Sequence, residues 1–394
     1  MLSDGEEKKS SVHPDIIKLG WVSFLTDLSS EMIFSVFAIF FTTIAGVTTA
    51  LLGLIEGLAD MAAASLNYTA GWLSDRSGQR KAFALAGYGF STLAKGILLV
   101  SSTVTGLGIF RVLERLGKGF RGPPRDAWIA SVADKKSRGY SFGIHKALDK
   151  SGAVFGPLIA YALLTHLGES GSTFRTIFWI ALIPAVLSIA LLGLVKDRPS
   201  TPHKRESMRQ TWNSISPEFK QYLLPAGIFS LAYFSFSFLL LRAYEVNFKT
   251  SDIVLLYALF NAAFVISSPF IGILSDRLGR ARILMLGYAI YLSMCLGFVF
   301  AKTQWQIIAL FIIYGVFYAI DEAQSKAYIS DLEEEHRASA IGLYNFLTGM
   351  LYLPASIIAG LLWSLQPSSA FFVAAGFALV ALLVFASRRA RQQE

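Results

Sequence analysis

Apolar runs long enough to cross a bilayer recur along almost the whole chain, and no other feature restricts its fold as severely. A hydrocarbon layer of roughly 30 Å is spanned by about 20 residues of helix rising 1.5 Å each. Twelve such runs occur, near 16 to 45, 48 to 72, 82 to 102, 105 to 132, 139 to 165, 174 to 195, 221 to 243, 251 to 275, 283 to 301, 305 to 330, 338 to 364 and 369 to 387. With 54% hydrophobic and 16% charged residues the composition lies outside the usual soluble range, so an integral membrane protein is expected.

A net charge of +8 would suggest a nucleic-acid partner in a soluble chain. Here the cations are sorted by side. Alternate loops carry Arg76, Arg80 and Lys81; Lys135, Lys136 and Arg138; a cluster from Lys196 to Lys220; Arg277, Arg280 and Arg282; and Arg388, Arg389 and Arg391, whereas the other loops hold only Arg175, Lys249 and Lys302. The positive-inside rule then puts both termini and the central loop in the cytoplasm, with the chain in the plasma (inner) membrane, and accounts for the surplus without nucleic acid. The polar first fifteen residues read as a short cytoplasmic tail and not as a signal peptide. Cys295 is the single cysteine and no Cys/His cluster exists, so neither a disulfide within the chain nor a metal site is expected. Asn67-Tyr68-Thr69 is formally a sequon but lies within a span.

The longest polar stretch, Lys196 to Gln221, separates the sixth and seventh runs, and the chain repeats on either side of it. "LSDRSGQRK" from Leu73 matches "LSDRLGRAR" from Leu274, each between the second and third run of its half. The organisation expected is a six-helix unit over 1 to 195, a cytoplasmic linker over 196 to 220 and a second six-helix unit over 221 to 394. Duplicated membrane units place a substrate site at their interface, near the bilayer midplane.

"GWLSDRSGQRK" resembles the loop signature of the major facilitator superfamily, carried here by Gly71, Leu73, Asp75, Arg76, Gly78, Arg80 and Lys81. A second family motif, R-x-x-Q-G of the fourth span, corresponds to Arg115, Lys118 and Gly119, with lysine in place of glutamine. The antiporter signature of the fifth span is matched in spacing by Gly143, Gly152, Gly156 and Pro157, while Ala160 and Tyr161 replace its last two glycines. The resemblance covers essentially the whole chain. It implies an all-α membrane protein with the major facilitator fold, 12 transmembrane helices in two pseudo-symmetric six-helix bundles, in the bacterial exporter-like branch. It also implies that the first and fourth spans line a central cavity, and that the loop signature acts as a latch for an outward-open state.

The motifs have physical reasons of their own. Glycine allows the tight turn between spans, and Arg76, Arg80 and Lys81 can bind acidic or carbonyl groups, although Lys81 is read as an interface anchor. Gly152 and Gly156 make a small-residue face for close helix approach, and Pro157 lets the fifth helix bend.

Charge inside a membrane costs at least roughly 2.5 to 3.5 kcal/mol per group on insertion scales, so such residues are paired, wetted or functional. The first half holds Lys95, Arg111, Arg115, Lys118, Arg121, Arg125, Lys146 and Lys150 against Asp27, Glu31, Glu56, Asp60, Glu114, Asp126 and Asp149. The second half has only Arg242, Asp321, Glu322 and Lys326. Arg111, Arg115 and Lys118 form one helical stripe, with Glu114 within reach of Arg111 and Lys118; Asp27 and Glu31, also four apart, should lie near the same depth as Lys118 and Arg115; Lys146, Asp149 and Lys150 form a further stripe. Arg111 is expected to snorkel outward, and Arg121, Arg125 and Asp126 to lie in a vestibule beyond a break at Pro123-Pro124. Structural salt bridges account equally well for any single residue, but the set suggests a wet cavity that uses charge.

Aromatics dominate the second half: Tyr233, Phe234, Phe236 and Phe238, then Tyr257, Phe260 and Phe264, then Phe311, Tyr314, Phe317 and Tyr318. Most such faces are core or lipid contacts, but the asymmetry suggests an anionic group facing the first half and an apolar body against the second, with Asn261 and Asn345 as polar contacts.

The function expected is proton-coupled secondary transport of a small amphipathic or anionic organic compound by alternating access, with export favoured. Asp27, Glu31 or Glu114 would exchange a proton as its pairing with Arg115 or Lys118 changes. Substrate contacts are expected from Arg115, Lys118, Lys146, Asp149, Lys150, Tyr233, Asn261, Tyr314 and Asn345, and the proton gradient replaces any cofactor. Partners are the substrate, protons and lipid, and a monomer is expected. Uptake by symport of an organic acid or metal chelate is the rival within transport, and a non-transporting receptor or assembly factor the rival outside it. The G-x-G-x-x-G at Gly117, Gly119 and Gly122 does not make an enzyme: no strand precedes it and Pro123-Pro124 follows.

Overall fold

The computed structural model describes residues 13–101, 103–133, 138–196, 208–333 and 337–393. The expected amino-terminal tail, Lys135, Lys136 and linker residues 197–207 lie outside that set, as do the side chains of Arg138 and Arg391. The described residues are almost entirely helical. The first six spans are α1 (Pro14–Ile39, continued by a wider turn over Phe40–Ile44), α2 (Thr49–Ser77), α3 (Arg80–Val100), α4 (Val104–Val132), α5 (Arg138–Leu167) and α6 (Gly171–Gly193). A short helix, α7 (Met208–Ser214), follows. The remainder comprises α8 (Pro217–Ala232), α9 (Ser237–Glu245), α10 (Thr250–Leu278), α11 (Arg280–Phe300), α12 (Gln304–Leu332), α13 (Arg337–Leu365) and α14 (Pro367–Gln393).

Eleven helical segments are long and apolar enough to cross a membrane, with α8 and α9 together making one of them. α4 is not among them because its stripe of charge lowers its hydropathy; it nonetheless packs inside the first bundle against α2 and α3. Charge here is compatible with a spanning helix because neighbouring helices supply the counterions. α4 also runs unbroken through Pro123 and Pro124, contrary to the break expected there.

α1 packs on α5 and α6 and α3 on α4 to make the amino-terminal bundle, while α10 packs on α12 and α11 on α14 in the carboxy-terminal one. The bundles meet along two seams, α2 against α13 and α5 against α10. Small residues set the first seam: a Cβ on Gly53 or Gly57 of α2 would overlap the backbone of Ser356 or Leu353 on α13. Gly152 and Gly156 do the same work within the first bundle, pressed against the α1 backbone at Phe24 and Leu28. Gly143 of the same motif has open space around it.

The internal repeat survives at atomic level. Gly78 ends α2 with φ +69° and its N–H on Ser74 O, and Gly279 ends α10 with φ +90° and its N–H on Ser275 O, both at 2.9 Å. The next arginine then donates to a carbonyl 47 residues on, Arg80 to Ala127 O at 2.9 Å and Arg280 to Ala327 O at 2.8 Å. Both loop signatures therefore tie the third helix of a bundle to its fourth. Lys81 binds the carbonyls of Gly193 and Val195 at the end of α6, and Arg76 lies 5.2 Å over the Trp72 ring.

The seventh span is not one helix. Residues Tyr233 to Phe236 separate α8 from α9, and side chains satisfy the backbone groups so exposed. Tyr291 donates to Ala232 O at 2.7 Å, Ser235 N donates to Ser356 Oγ at 3.2 Å, and Ser237 N donates to Ser235 Oγ at 3.3 Å.

Candidate functional site

A cavity of about 450 Å³ lies between the bundles, lined by α1, α2, α4 and α5 on one side and by the α8–α9 break, α10, α12 and α13 on the other. The α4 stripe shows which way it opens. Side-chain exposure rises from 4% at Arg111 to 24% at Arg115 and 45% at Lys118, toward the end of the bundles where the linker lies.

The far end is shut by three carboxylates of the first bundle, each accepting a hydrogen bond from a neutral donor of the second. Glu169, between α5 and α6, accepts from Ser251 N at 2.8 Å. Lys249 occupies the N-cap of α10 and has no acceptor to offer, so the missing cap comes from the opposite bundle. Burial alone would raise the Glu169 carboxyl, but hydrogen bonds from Ser251 and Thr250 outweigh it and hold the group below the usual carboxylate range. Deeper in, Glu56 Oε2 accepts from Ser235 Oγ at 3.0 Å, and Glu31 Oε2 accepts from Tyr257 O–H at 2.5 Å. Toward the linker end the bridge across the bundles is an ion pair, Lys146 to Glu322 at 3.2 Å.

The expected charge partners are regrouped. Arg111 does not snorkel: it is buried, grips Glu56 through two hydrogen bonds of 2.7 and 2.8 Å, and reaches Glu114 at 3.3 Å. Among the described residues Glu114 thus pairs with Arg111 and makes no ion pair with Lys118. Arg115 is engaged by Asp60 at 2.7 Å and not by Asp27, Glu31 or Glu114. Asp27 sits 3.9 Å from Arg121, and Arg125 contacts Asp126 at 3.1 Å and Asp149 at 3.5 Å. Arg121 is buried in the bundle, donating to Ser91 Oγ at 2.7 Å, and is not in an open vestibule.

Of the proton-coupling candidates, Glu31 and Glu114 line the cavity and Asp27 does not. Glu31 is distinctive in facing Lys118 of its own bundle at 4.0 Å while accepting from Tyr257 of the other. Of the substrate candidates, Arg115, Lys118, Lys150, Tyr233, Asn261, Tyr314 and Asn345 line the cavity; Lys146 and Asp149 are outside its lining. The Asn261 amide donates to Tyr257 O at 3.0 Å. The aromatic wall is a connected cluster, with Phe236 centred 5.1 Å from Tyr257, 4.7 Å from Phe260 and 5.4 Å from Tyr314.

Sequence reasoning did not single out Tyr257 as a hydrogen-bond donor, Ser235, Asp60, Asp321 or Glu169 for the site. One signal for Ser235 was present: "YFSFSF" from Tyr233 alternates aromatic and serine with a period of two, which fits an interrupted helix better than a continuous one.

A cavity between two six-helix bundles, shut at one end and open at the other, is the geometry of a carrier, and sequence comparison decides its lineage. The profile of the Major Facilitator Superfamily matches residues 19–248 and 234–394. The chain belongs to the Major Facilitator Superfamily. It is 37% identical over 396 residues to an uncharacterized MFS-type transporter of Methanocaldococcus jannaschii, covering 98% of each chain. It is 25% identical over 309 residues to the cis,cis-muconate transport protein of Acinetobacter baylyi, covering 73% of each. Among solved structures, the POT family transporter PepTSo superposes with a TM-score of 0.80 at 12% identity, over 96% of this chain and 99% of that one. The major facilitator fold and membership of a transporter family follow, and an enzymatic role does not. Gly71, Asp75, Arg76, Gly78 and Arg80, the residues matched to the loop signature, lie at the end of α2 and start of α3, outside the cavity lining.

Proposed function

We propose that this MFS transporter is a proton-coupled secondary carrier that moves a small amphipathic or anionic organic compound by alternating access. The observation that carries the reading is the position of Glu31, which shares a cavity with Lys118 and accepts the Tyr257 hydroxyl proton across the seam. A charged acceptor makes a hydrogen bond roughly twice as strong as a neutral one. Loading a proton on Glu31 weakens its attraction for Lys118 and its bond to Tyr257 together, which favours parting of the far ends and frees a cation for substrate. Glu114 is a weaker candidate because Arg111 holds it, and Asp27 because it is outside the cavity lining.

The anionic part of the substrate falls to Lys118 and Lys150, since Arg115 is already neutralised by Asp60. We place the linker end in the cytoplasm of a plasma membrane on the distribution of cations, so that the conformation is open inward. The antiporter spacing in α5 favours export, and we take the carrier to be a monomer driven by the proton gradient. Uptake by symport of an organic acid is the second reading; the likeness to a protein named for cis,cis-muconate transport favours an organic acid as substrate and carries no direction. Proteoliposomes with an imposed pH gradient test coupling: wild-type protein accumulates an organic acid against its gradient, while Glu31→Gln exchanges it without accumulation. Undiminished accumulation by E31Q would remove Glu31 from the mechanism.

A further inference from the structure

What the cavity lining leaves out narrows what can bind there. Among the described residues that line it, the largest aliphatic side chain is alanine, with no leucine, isoleucine, valine or methionine. Every large apolar side chain is an aromatic ring: Phe34 of α1, and eight more from the α8–α9 break, α10, α12 and α13. Hydrophobic residues make up 54% of the chain and aromatic ones 13%, so the apolar part of a lining drawn from the sequence at large would be mainly aliphatic.

The rings hold one another in place. Phe236, Phe260 and Tyr314 have centroids 4.7, 5.4 and 5.3 Å apart in their three pairings, and Tyr233 packs on Tyr352 at 5.6 Å. Phe236, Tyr318 and Tyr352 line the cavity half-buried, so part of each ring is open to a ligand. A wall braced in this way presents its ring faces before any ligand arrives.

Charge joins the wall with no aliphatic gap between. The two oxygens of Glu31 meet Lys118 at 4.0 Å and the Tyr257 hydroxyl at 2.5 Å, so a single carboxylate separates the cation from the first ring of the wall. Phe34 closes the same corner, 5.5 Å from Tyr257 and 5.9 Å from the Arg115 guanidinium.

Burial of apolar area does not favour an unsaturated body over a saturated one. Contact between rings does, because the negative face and positive edge of one complement those of another. We propose that the transported compound is an aryl carboxylate, with its anionic group on Lys118 and its ring against the aromatic wall that begins at Tyr257. This rests on the reading of the cavity as the transport site. An aliphatic acid of the same size meets the same cation and finds no matching surface.

Acids that differ only in saturation test this: benzoate against cyclohexanecarboxylate, and 2-naphthoate against its decahydro counterpart. Their Kd values are measured on the full-length protein in lipid nanodiscs. The saturated acid of each pair is the more hydrophobic, so a wall that selects on apolar area alone would favour it. The aryl acid is expected to bind about threefold to tenfold tighter than its partner. Phe236→Leu and Tyr318→Leu remove a ring and keep apolar bulk; they should weaken the aryl acid and leave the saturated one unchanged, which also shows that the variants are folded. Lys118→Gln should weaken both members of a pair. The proposal is overturned if the saturated acid binds as tightly as the aryl acid in both pairs, if F236L and Y318L weaken both members equally, or if none of the four binds. Gradient-driven flux of aliphatic acids by a protein with no aryl preference would defeat this proposal and leave the carrier reading standing; absence of flux for any organic compound would defeat the reading beneath it.

Discussion

The Tyr257 hydroxyl donates to Glu31 Oε2 across 2.5 Å, joining α10 of one bundle to α1 of the other at the wall of the cavity. Because the acceptor is a carboxylate and the donor neutral, the bond depends on a charge that a proton can cancel. Tyr257→Phe removes the donor and keeps the ring that packs on Phe34 and Phe236. The far-end-closed state should lose about 1.5 to 3 kcal/mol, the range for hydrogen bonds to charged groups. Cysteine pairs across the far end would report this as slower crosslinking than in the wild type.

The outermost seam bond predicts a dependence on the pH at the far end. Against burial, which raises it, the bonds from Ser251 and Thr250 hold the Glu169 carboxyl below its ordinary range in the closed state. A carboxyl depressed in one state stabilises that state fully above its ordinary value, and the contribution is lost as pH falls through the depressed value. Acidification into and below the carboxylate range should therefore loosen the far end, and Glu169→Gln should flatten that dependence, as read by accessibility of a cysteine at Thr105.

Arg111 and Glu56 should behave as structure and not as coupling. Removing one partner of a buried pair costs about 3 to 5 kcal/mol, whereas replacing both by apolar residues is often neutral or stabilising. Arg111→Met alone should lower the thermal midpoint sharply in detergent. The double variant with Glu56→Leu should recover only part of the loss, because it removes the Ser235 hydroxyl's bond to Glu56 and leaves the buried Glu114 without its Arg111 partner at 3.3 Å.

Within the antiporter signature the glycines are not equivalent. Gly156→Ala would push a methyl into the α1 backbone at Leu28, an overpacking that costs typically about 1 to 3 kcal/mol, while Gly143→Ala meets nothing within 4 Å. Thermal midpoints of the two variants should differ accordingly, with G143A close to wild type.

The spans, the repeat and the charged stripe of α4 were legible because each has a period or composition of its own. Which charges pair was not. Depth alone put Arg115 level with Asp27 and Glu31, and only the packing of α2 brings Asp60 to it at 2.7 Å. Likewise Glu169 reads as an ordinary loop residue until α10 is seen to begin beside it with a lysine at its N-cap. The interruption at Tyr233 to Phe236 was hidden because apolar content marks a span without saying whether its helix is continuous. Residues facing across a seam are fixed by the packing of two bundles, which no local pattern encodes.

The central claim is that the charge on Glu31 holds the far ends of the bundles together. Pulsed electron-spin distances between labels at Thr105 and Lys302, one at the far end of each bundle, measure it without any substrate; Cys295 is buried and stays unlabelled. In nanodiscs at neutral pH, Glu31→Gln, which carries the neutral form permanently, should shift the distribution toward longer distances, in the same sense as Y257F. A distribution for E31Q that matches the wild type, with Y257F alone shifted or neither, would contradict the account.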